Sequence, residues 1–427
     1  MISETMETTP APARKEHAVF FRQSGWMMTA AIVGGFMSLG IHFLSKRVDQ
    51  EQYGIFGILL MVTVCLPTTP LQMLLTQQTA SALATNRVRQ LSSMIRLTWL
   101  WTTGFWLIAA LLVFVFRNQI ALRWEMPTLT PLWITLATVL VALWLPIFGG
   151  ALVGRQDFFW SGWSAILMGA FRLGVAAVLV LGFASGATGM MIGALAGAVA
   201  AVSVPIWRTR DFWRMPAERF DTRAVTRKAV PLILGFWAFQ FMFTSDTLFA
   251  GAFFPDQMGT YFAAGTLSRA MLWLVLPLAT VMFPKLVHSN AKAEKSNLLA
   301  VVLLGTAVLA ILGGVGLYVV GPLVVKMVFP PDYATAIMRL LPWYVGAMIP
   351  LTLTNVLVND LMARDKFKVV PLIVLLAIVY GFTLPYVLNH VSKKPETILQ
   401  ALGVFNFLLL VVCGVAAFRK PRPVLSR

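Results

Sequence analysis

The sequence predicts an all-α polytopic membrane protein, with twelve transmembrane helices in two six-helix bundles related by an internal parallel repeat. Three observations predict it: an apolar composition, a lopsided placement of basic residues, and a short motif that occurs twice. Of 427 residues, 58% are hydrophobic and 12% are charged. A soluble domain carries about 25% charged residues, so a soluble fold would leave far too much apolar surface uncovered. Lipid is the better solvent for this chain, and each spanning helix needs about 20 mostly apolar residues.

The elements follow in chain order. The opening "MISETMETTPAPARKEHAVFFR" is polar and mixed in charge, too polar and too long for a cleaved signal peptide. It reads as a cytosolic tail, 1–24, ahead of an uncleaved anchor helix. Six apolar runs make an N-terminal bundle, 25–207: they lie at 25–45, 55–78, 97–116, 131–153, 162–184 and 187–207. The last two are joined by the tight turn "ASGA". The linker 208–228, "RTRDFWRMPAERFDTRAVTRK", is basic and sits at the midpoint. A C-terminal bundle, 229–418, holds runs at 229–252, 261–284, 298–320, 336–358, 369–389 and 398–418, and 419–427 is a second tail. Cys65 and Cys413 fall in apolar runs and read as buried free thiols.

With the N-terminus inside, 24 of the 34 Lys and Arg fall on the inner side and 7 on the outer side, leaving three within helices. That bias is the positive-inside pattern, and it places both termini in the cytoplasm. It also accounts for the net charge of +17 by topology, so nucleic acid is not an expected partner.

The repeated motif is "VDQEQYGIFG" (48–57) against "FFPDQMGTYFAAG" (253–265). Glu51 aligns with Asp256, Gln52 with Gln257, Gly54 with Gly259 and Phe56 with Tyr261. A second pair, "GRQDFF" (154–159) and "ARDKFK" (363–368), joins helices four and five of each half. Both halves begin inside, so the repeats are parallel, related by an axis along the membrane normal.

Ionisable groups within spanning helices are costly and mark function by default. Here they are Arg172, Asp246, Arg269, Arg339 and His42. Asp246 and Arg269 sit at similar depth in adjacent antiparallel helices, so they can form an ion pair that pins the two. The same pair can instead place Arg269 on a water-filled cavity, with Asp246 orienting or gating it. Three arginines against one aspartate leave an excess of about two positive charges, and the arginine fork suits phosphate oxygens. Arg172, Arg269 and Arg339 are therefore the candidate substrate-binding residues, and Asp246 and His42 the candidates for gating or coupling. Bland roles stand beside these: backbone carbonyls or water can satisfy Arg172, and Arg339 can snorkel to the outer interface. Gln72, Gln77, Gln78, Gln240, Asn355 and Asn359 can line a polar cavity or bond between helices. Pro67, Pro70, Pro146, Pro277 and Pro350 are expected to kink their helices.

No GxSxG, HExxH, Walker A loop, loop carboxylate pair or His/Cys cluster occurs, so neither an enzyme nor a metal site is expected. "SKRVDQEQYGIFGILLMV" resembles the stretch after the first helix in bacterial polysaccharide transporters of the oligosaccharide flippase type, where an "ARxLGPEEYGxYA"-like pattern stands. "SDTLFAGAFFPDQMGTYFAAGTLSRAM" resembles the second-half version of the same family, and "VMFPKL" (281–286) also fits. The family belongs to the multidrug/oligosaccharidyl-lipid/polysaccharide exporter superfamily. The glycine usual before the motif's proline is absent in both halves.

The resemblance implies two six-helix bundles around a central cavity and alternating access between them. The substrate it implies is an undecaprenyl-pyrophosphate-linked oligosaccharide, flipped for export of a surface polysaccharide, with membrane lipids and a polysaccharide polymerase as partners. It implies no cofactor; coupling to Na+ or H+ through Asp246 or His42 stays open. Two alternatives remain beside it: a cation-coupled drug or metabolite exporter of the same superfamily, and a membrane scaffold or enzyme of envelope polymer assembly.

Overall fold

A computed structural model describes residues 12–269, 298–364 and 366–419. The far part of the 261–284 run, Pro277, "VMFPKL", the loop 285–297 and Asp365 lie outside the described residues. The described chain is helical throughout. It comprises α1 (Pro12–Gly40), α2 (Gln50–Val64), α3 (Thr68–Ala84), α4 (Val88–Arg123), α5 (Thr130–Gly154), α6 (Phe158–Phe183) and α7 (Gly186–Arg208). A short α8 (Arg210–Arg214) leads to α9 (Thr222–Phe253), a 3-10 turn (Pro255–Gln257) and the helical residues 258–269, termed α10. Then come α11 (Leu298–Val328), α12 (Tyr333–Ala363), α13 (Val370–His390) and α14 (Pro395–Phe418). Among the described residues, eleven stretches are long and apolar enough to cross a membrane. The chain is a multi-pass membrane protein.

Four boundaries differ from the sequence expectation, each for a local reason. The helix of the first run starts at Pro12, inside the expected 1–24 tail, because proline is tolerated in a first turn. The 55–78 run is not one helix: it breaks at Cys65–Pro67, where Pro67 offers no N–H and Thr68 N–H turns back to Leu66 O. Pro70 then sits harmlessly near the start of α3, whereas Pro146 and Pro350 lie inside α5 and α12. The 97–116 run is the middle of α4, 36 residues long. At ~1.5 Å per residue it far exceeds the ~30 Å hydrocarbon layer. Arg117, expected in a loop, lies within α4 and donates to Phe114 O with its guanidinium over the Phe114 ring. Finally, the linker 208–228 is ordered: it holds α8 and the first turns of α9.

The "ASGA" turn closes as expected, with Ala184 in the left-handed region at φ 51 and Gly186 at φ 50. Cys65 and Cys413 are free thiols; Cys413 is buried and Cys65 half-buried.

The helices pack in two groups, α1–α7 and α9–α14, which meet chiefly where α2 and α3 face α9. The larger hydrophobic core spans both groups and includes Tyr53, Phe56, Met258, Phe262, Phe329 and Tyr344. A smaller core, with Leu75, Ile95 and Phe148, joins α3–α5 to the linker and the start of α9. The two ends of the molecule therefore differ. The repeat end carries the turns α1–α2 and α9–α10. The linker end carries residues 208–228.

At the repeat end the twin motifs lie against each other. Gln50 Nε2 donates to Asp256 O at 2.9 Å. Gly54 faces Met258 and Gly259, and Gly259 faces the Gln50 carbonyl, so closely that a Cβ on Gly259 would stand 2.5 Å from that oxygen. The aligned glycines Gly54 and Gly259 thus lie in one contact. The Tyr53 and Phe262 rings pack beside them at a tilt of 52°, centroids 5.3 Å apart. Lys46 Nζ to Lys326 O (3.0 Å) and Ser45 Oγ to Val328 O (3.3 Å) add a second bridge between the groups.

Candidate functional site

Asp246 lies in α9, two turns before its end, and Arg269 lies in α10. Both are buried, at 0% and 5% exposure. Asp246 Oδ1 accepts from Arg269 Nη2 at 2.5 Å. The same Nη2 reaches Thr247 Oγ1 at 2.8 Å, and Nε reaches Phe243 O at 3.3 Å. The second carboxylate oxygen accepts from Tyr344 OH (2.8 Å) and Tyr261 OH (3.2 Å). The Arg269 guanidinium also lies over the rings of Phe243 and Tyr344. Arg269 Nη1 has no partner among the described residues.

The opposite charges read in the sequence are therefore one ion pair, within a closed network drawn from α9, α10 and α12. Burial this complete makes the pair costly to form alone, and the tyrosine hydroxyls satisfy the oxygen the arginine leaves over. The carboxylate accepts from three donors in this conformation. Arg269 is 5% exposed, and its Nη1 is the nitrogen left without a partner among the described residues.

Arg172 stands differently. It sits midway along α6, where its Cβ and backbone pack on Gly197 of α7. It makes no ion pair among the described residues, and its Nε is buried without a partner. Its helix, α6, packs against the 3-10 turn 41–47 that carries His42. His42 Nδ1 and Tyr53 OH share a hydrogen bond at 2.8 Å, and the His42 ring lies 5.7 Å from that of Phe262 in the other group. The structure thus brings Arg172 and His42, read separately in the sequence, to one neighbourhood beside the joint between the groups.

Arg339 does not join either cluster. Its side chain is 58% exposed and pairs with Glu396 in the first turn of α14 at 2.8 Å. The expected surplus of two membrane arginines is corrected to one: Arg269 and Arg339 each have a carboxylate, and Arg172 has none among the described residues. Arg339 lies two turns into α12, close enough to the helix end for its long side chain to leave the apolar layer.

The polar groups read as cavity candidates divide. Asn359 bonds back to Asn355 within α12. Gln72 and Gln77 are exposed and Gln240 half-buried. Gln78 lines a cavity of about 360 Å³ at the linker end. No group of three or more His, Cys, Asp or Glu is placed to hold a metal among the described residues.

Sequence reasoning missed Tyr261 and Tyr344, both fully buried with their hydroxyls on Asp246. A usable signal existed: tyrosine in the middle of an apolar run needs a partner for its hydroxyl. It also missed Asn406, which is buried in α14 and donates to Ala347 O of α12 at 2.8 Å.

Solved structures match this arrangement over nearly the whole chain. The inward-facing conformation of a multidrug resistance MATE family transporter of the MOP superfamily matches with TM-score 0.69 at 10% identity, covering 92% of this chain and 96% of that one. The chain shares the fold of that transporter. The lipid II flippase MurJ, in an inward closed conformation, matches with TM-score 0.66 at 14% identity, over 94% and 88% of the two chains. A eukaryotic MATE transporter matches at 0.64 and 11% identity, over 94% and 97%. No protein-family profile matches the chain, and no curated protein matches it by sequence. These identities support a shared MOP fold and leave the polysaccharide-transporter family, and any substrate, to the site itself.

Proposed function

We propose that this protein is a flippase for an undecaprenyl-pyrophosphate-linked oligosaccharide, working by alternating access of two six-helix bundles related by the parallel repeat. The observation that carries the reading is Arg172: a guanidinium inside a membrane span, beside the joint between the groups, with a buried nitrogen unpartnered and no carboxylate beside it among the described residues. A cation so placed in a membrane span is retained only where something compensates it. A pyrophosphate supplies that compensation, and arginine offers it paired donors. In this reading Arg172 binds the head of the substrate. Arg269 contributes its spare Nη1 only when the groups rearrange, and Arg339 drops to a surface role.

The basic linker end faces the cytoplasm in this proposal, as do both termini, and the repeat end faces outward in a bacterial inner membrane. The closed repeat end described above is then the outer gate. His42 and Asp246 are the groups whose charge state can couple to movement.

The alternative, a cation-coupled drug exporter, draws support from the fold shared with multidrug transporters. Against it stands the carboxylate of Asp246, already holding Arg269 and two tyrosines. The test is Arg172→Gln in the native cell: normal protein level with loss of the surface glycan supports the flippase, and unchanged glycan export refutes it.

A further inference from the structure

The cavity at the linker end has walls from both helix groups. From the first come the end of α3 and the start of α4, with Gln78, Arg87 and Gln90; from the second come the linker and the start of α9, with Asp221 and Lys228. Its floor is apolar, built on Leu91, Met94 and Val225. The volume of about 360 Å³ lies within the ordinary range for small-ligand sites.

The walls are held in place by side chains of α4 that take up the linker's backbone groups. Arg96 Nε and Nη2 donate to Trp213 O (2.7 Å) and Met215 O (2.6 Å). Ser93 Oγ donates to Glu218 O at 2.6 Å, and Gln90 Nε2 donates to Glu218 Oε1 at 3.2 Å. A linker strapped down in this way is a preformed wall, and preformed walls lower the ordering cost of binding.

We infer that this cavity is a second ligand site, which takes a phosphate ester bearing hydroxyl groups. Arg87 and Lys228, both exposed, line the cavity from opposite helix groups and supply the cationic donors that a phosphate takes. Gln78 and Gln90 offer amide groups to hydroxyls, Asp221, itself already engaged, adds a carboxylate at the same rim, and the floor accepts an apolar portion. An anionic glycerophospholipid headgroup and a soluble phosphate ester share this chemistry. The site rests on its own walls and is separate from Arg172. Because it bridges both groups, an occupant holds the linker end in one conformation.

The test uses the full chain in phosphatidylcholine nanodiscs, titrated calorimetrically with glycerol 3-phosphate and, separately, with short-chain phosphatidylglycerol. Saturable binding is expected, weakened about tenfold or more in Arg87→Gln/Lys228→Gln, since each tenfold corresponds to about 1.4 kcal/mol of lost contacts. Arg87→Lys/Lys228→Arg, which keeps both charges, is expected to retain most of the affinity and guards against misfolding. Preference for phosphatidylglycerol identifies a lipid headgroup, and equal or better glycerol 3-phosphate binding identifies a free phosphate ester. Absence of saturable binding by either probe overturns the inference. So does unchanged affinity in the Gln pair, or loss of binding in Arg172→Gln, which would move the phosphate site to α6. Glycan export plays no part in this readout, so its failure and that of the transport proposal are distinguishable.

Discussion

At the scale of single residues, Asp246 is the most constrained group described here. It accepts from Arg269, Tyr261 and Tyr344 while buried at 0% exposure. Asp246→Asn leaves Arg269 as a buried charge without its counter-ion, which costs on the order of 3–5 kcal/mol. The expected outcome is a clear fall in melting temperature in detergent, partly restored by adding Arg269→Met. An undisturbed melting temperature in the single variant would contradict the network. The pair itself was legible in the sequence, because two opposite charges stood at equal depth in neighbouring antiparallel runs. Tyr344 was not, since it reaches Asp246 from 98 residues away and no local pattern encodes that contact. Arg339 was legible as a side chain able to leave the apolar layer; its partner Glu396 was not, because it arrives from another helix.

At the scale of elements, the repeated motif makes a joint between helix groups. Gly54 and Gly259 were legible as aligned positions, but their mutual contact depends on how the two groups meet. Gly259→Ala sets a Cβ 2.5 Å from the Gln50 carbonyl, too close for any real Cβ, and backbone must move. The expected result is faster thiol labelling of Ser45→Cys, which is buried at this end, with the helical content unchanged. Equal labelling with and without Gly259→Ala would show that the joint does not seal the repeat end. The linker was read as a charged loop because its composition is polar; its order comes from α4, a tertiary cause. Removing the strap with Arg96→Gln deletes two charge-assisted hydrogen bonds, each worth about 1.5–3 kcal/mol. Tryptic cleavage at Arg214 is then expected to speed up by about tenfold or more in limited proteolysis. The α2–α3 break was expected only as a kink at Pro67; the adjacent Cys65–Leu66 backbone also leaves the helix.

At the scale of the whole molecule, the class was legible because composition and basic-residue placement are global properties that no tertiary detail can undo. The MOP fold over 92% of the chain agrees with that class. The interior charge balance was less legible: it depends on which arginines find carboxylates after folding. Two do, and Arg172 has none among the described residues. The central claim is that this unmatched cation binds the anionic head of a lipid-linked glycan. The most direct measurement is surface glycan in cells whose only copy carries Arg172→Gln, with membrane protein level measured alongside. At normal protein level, glycan is predicted to fall about tenfold or more, as the loss of a charge-assisted phosphate contact of about 1.5–3 kcal/mol requires, with Arg172→Lys intermediate. Wild-type glycan in Arg172→Gln would contradict the account.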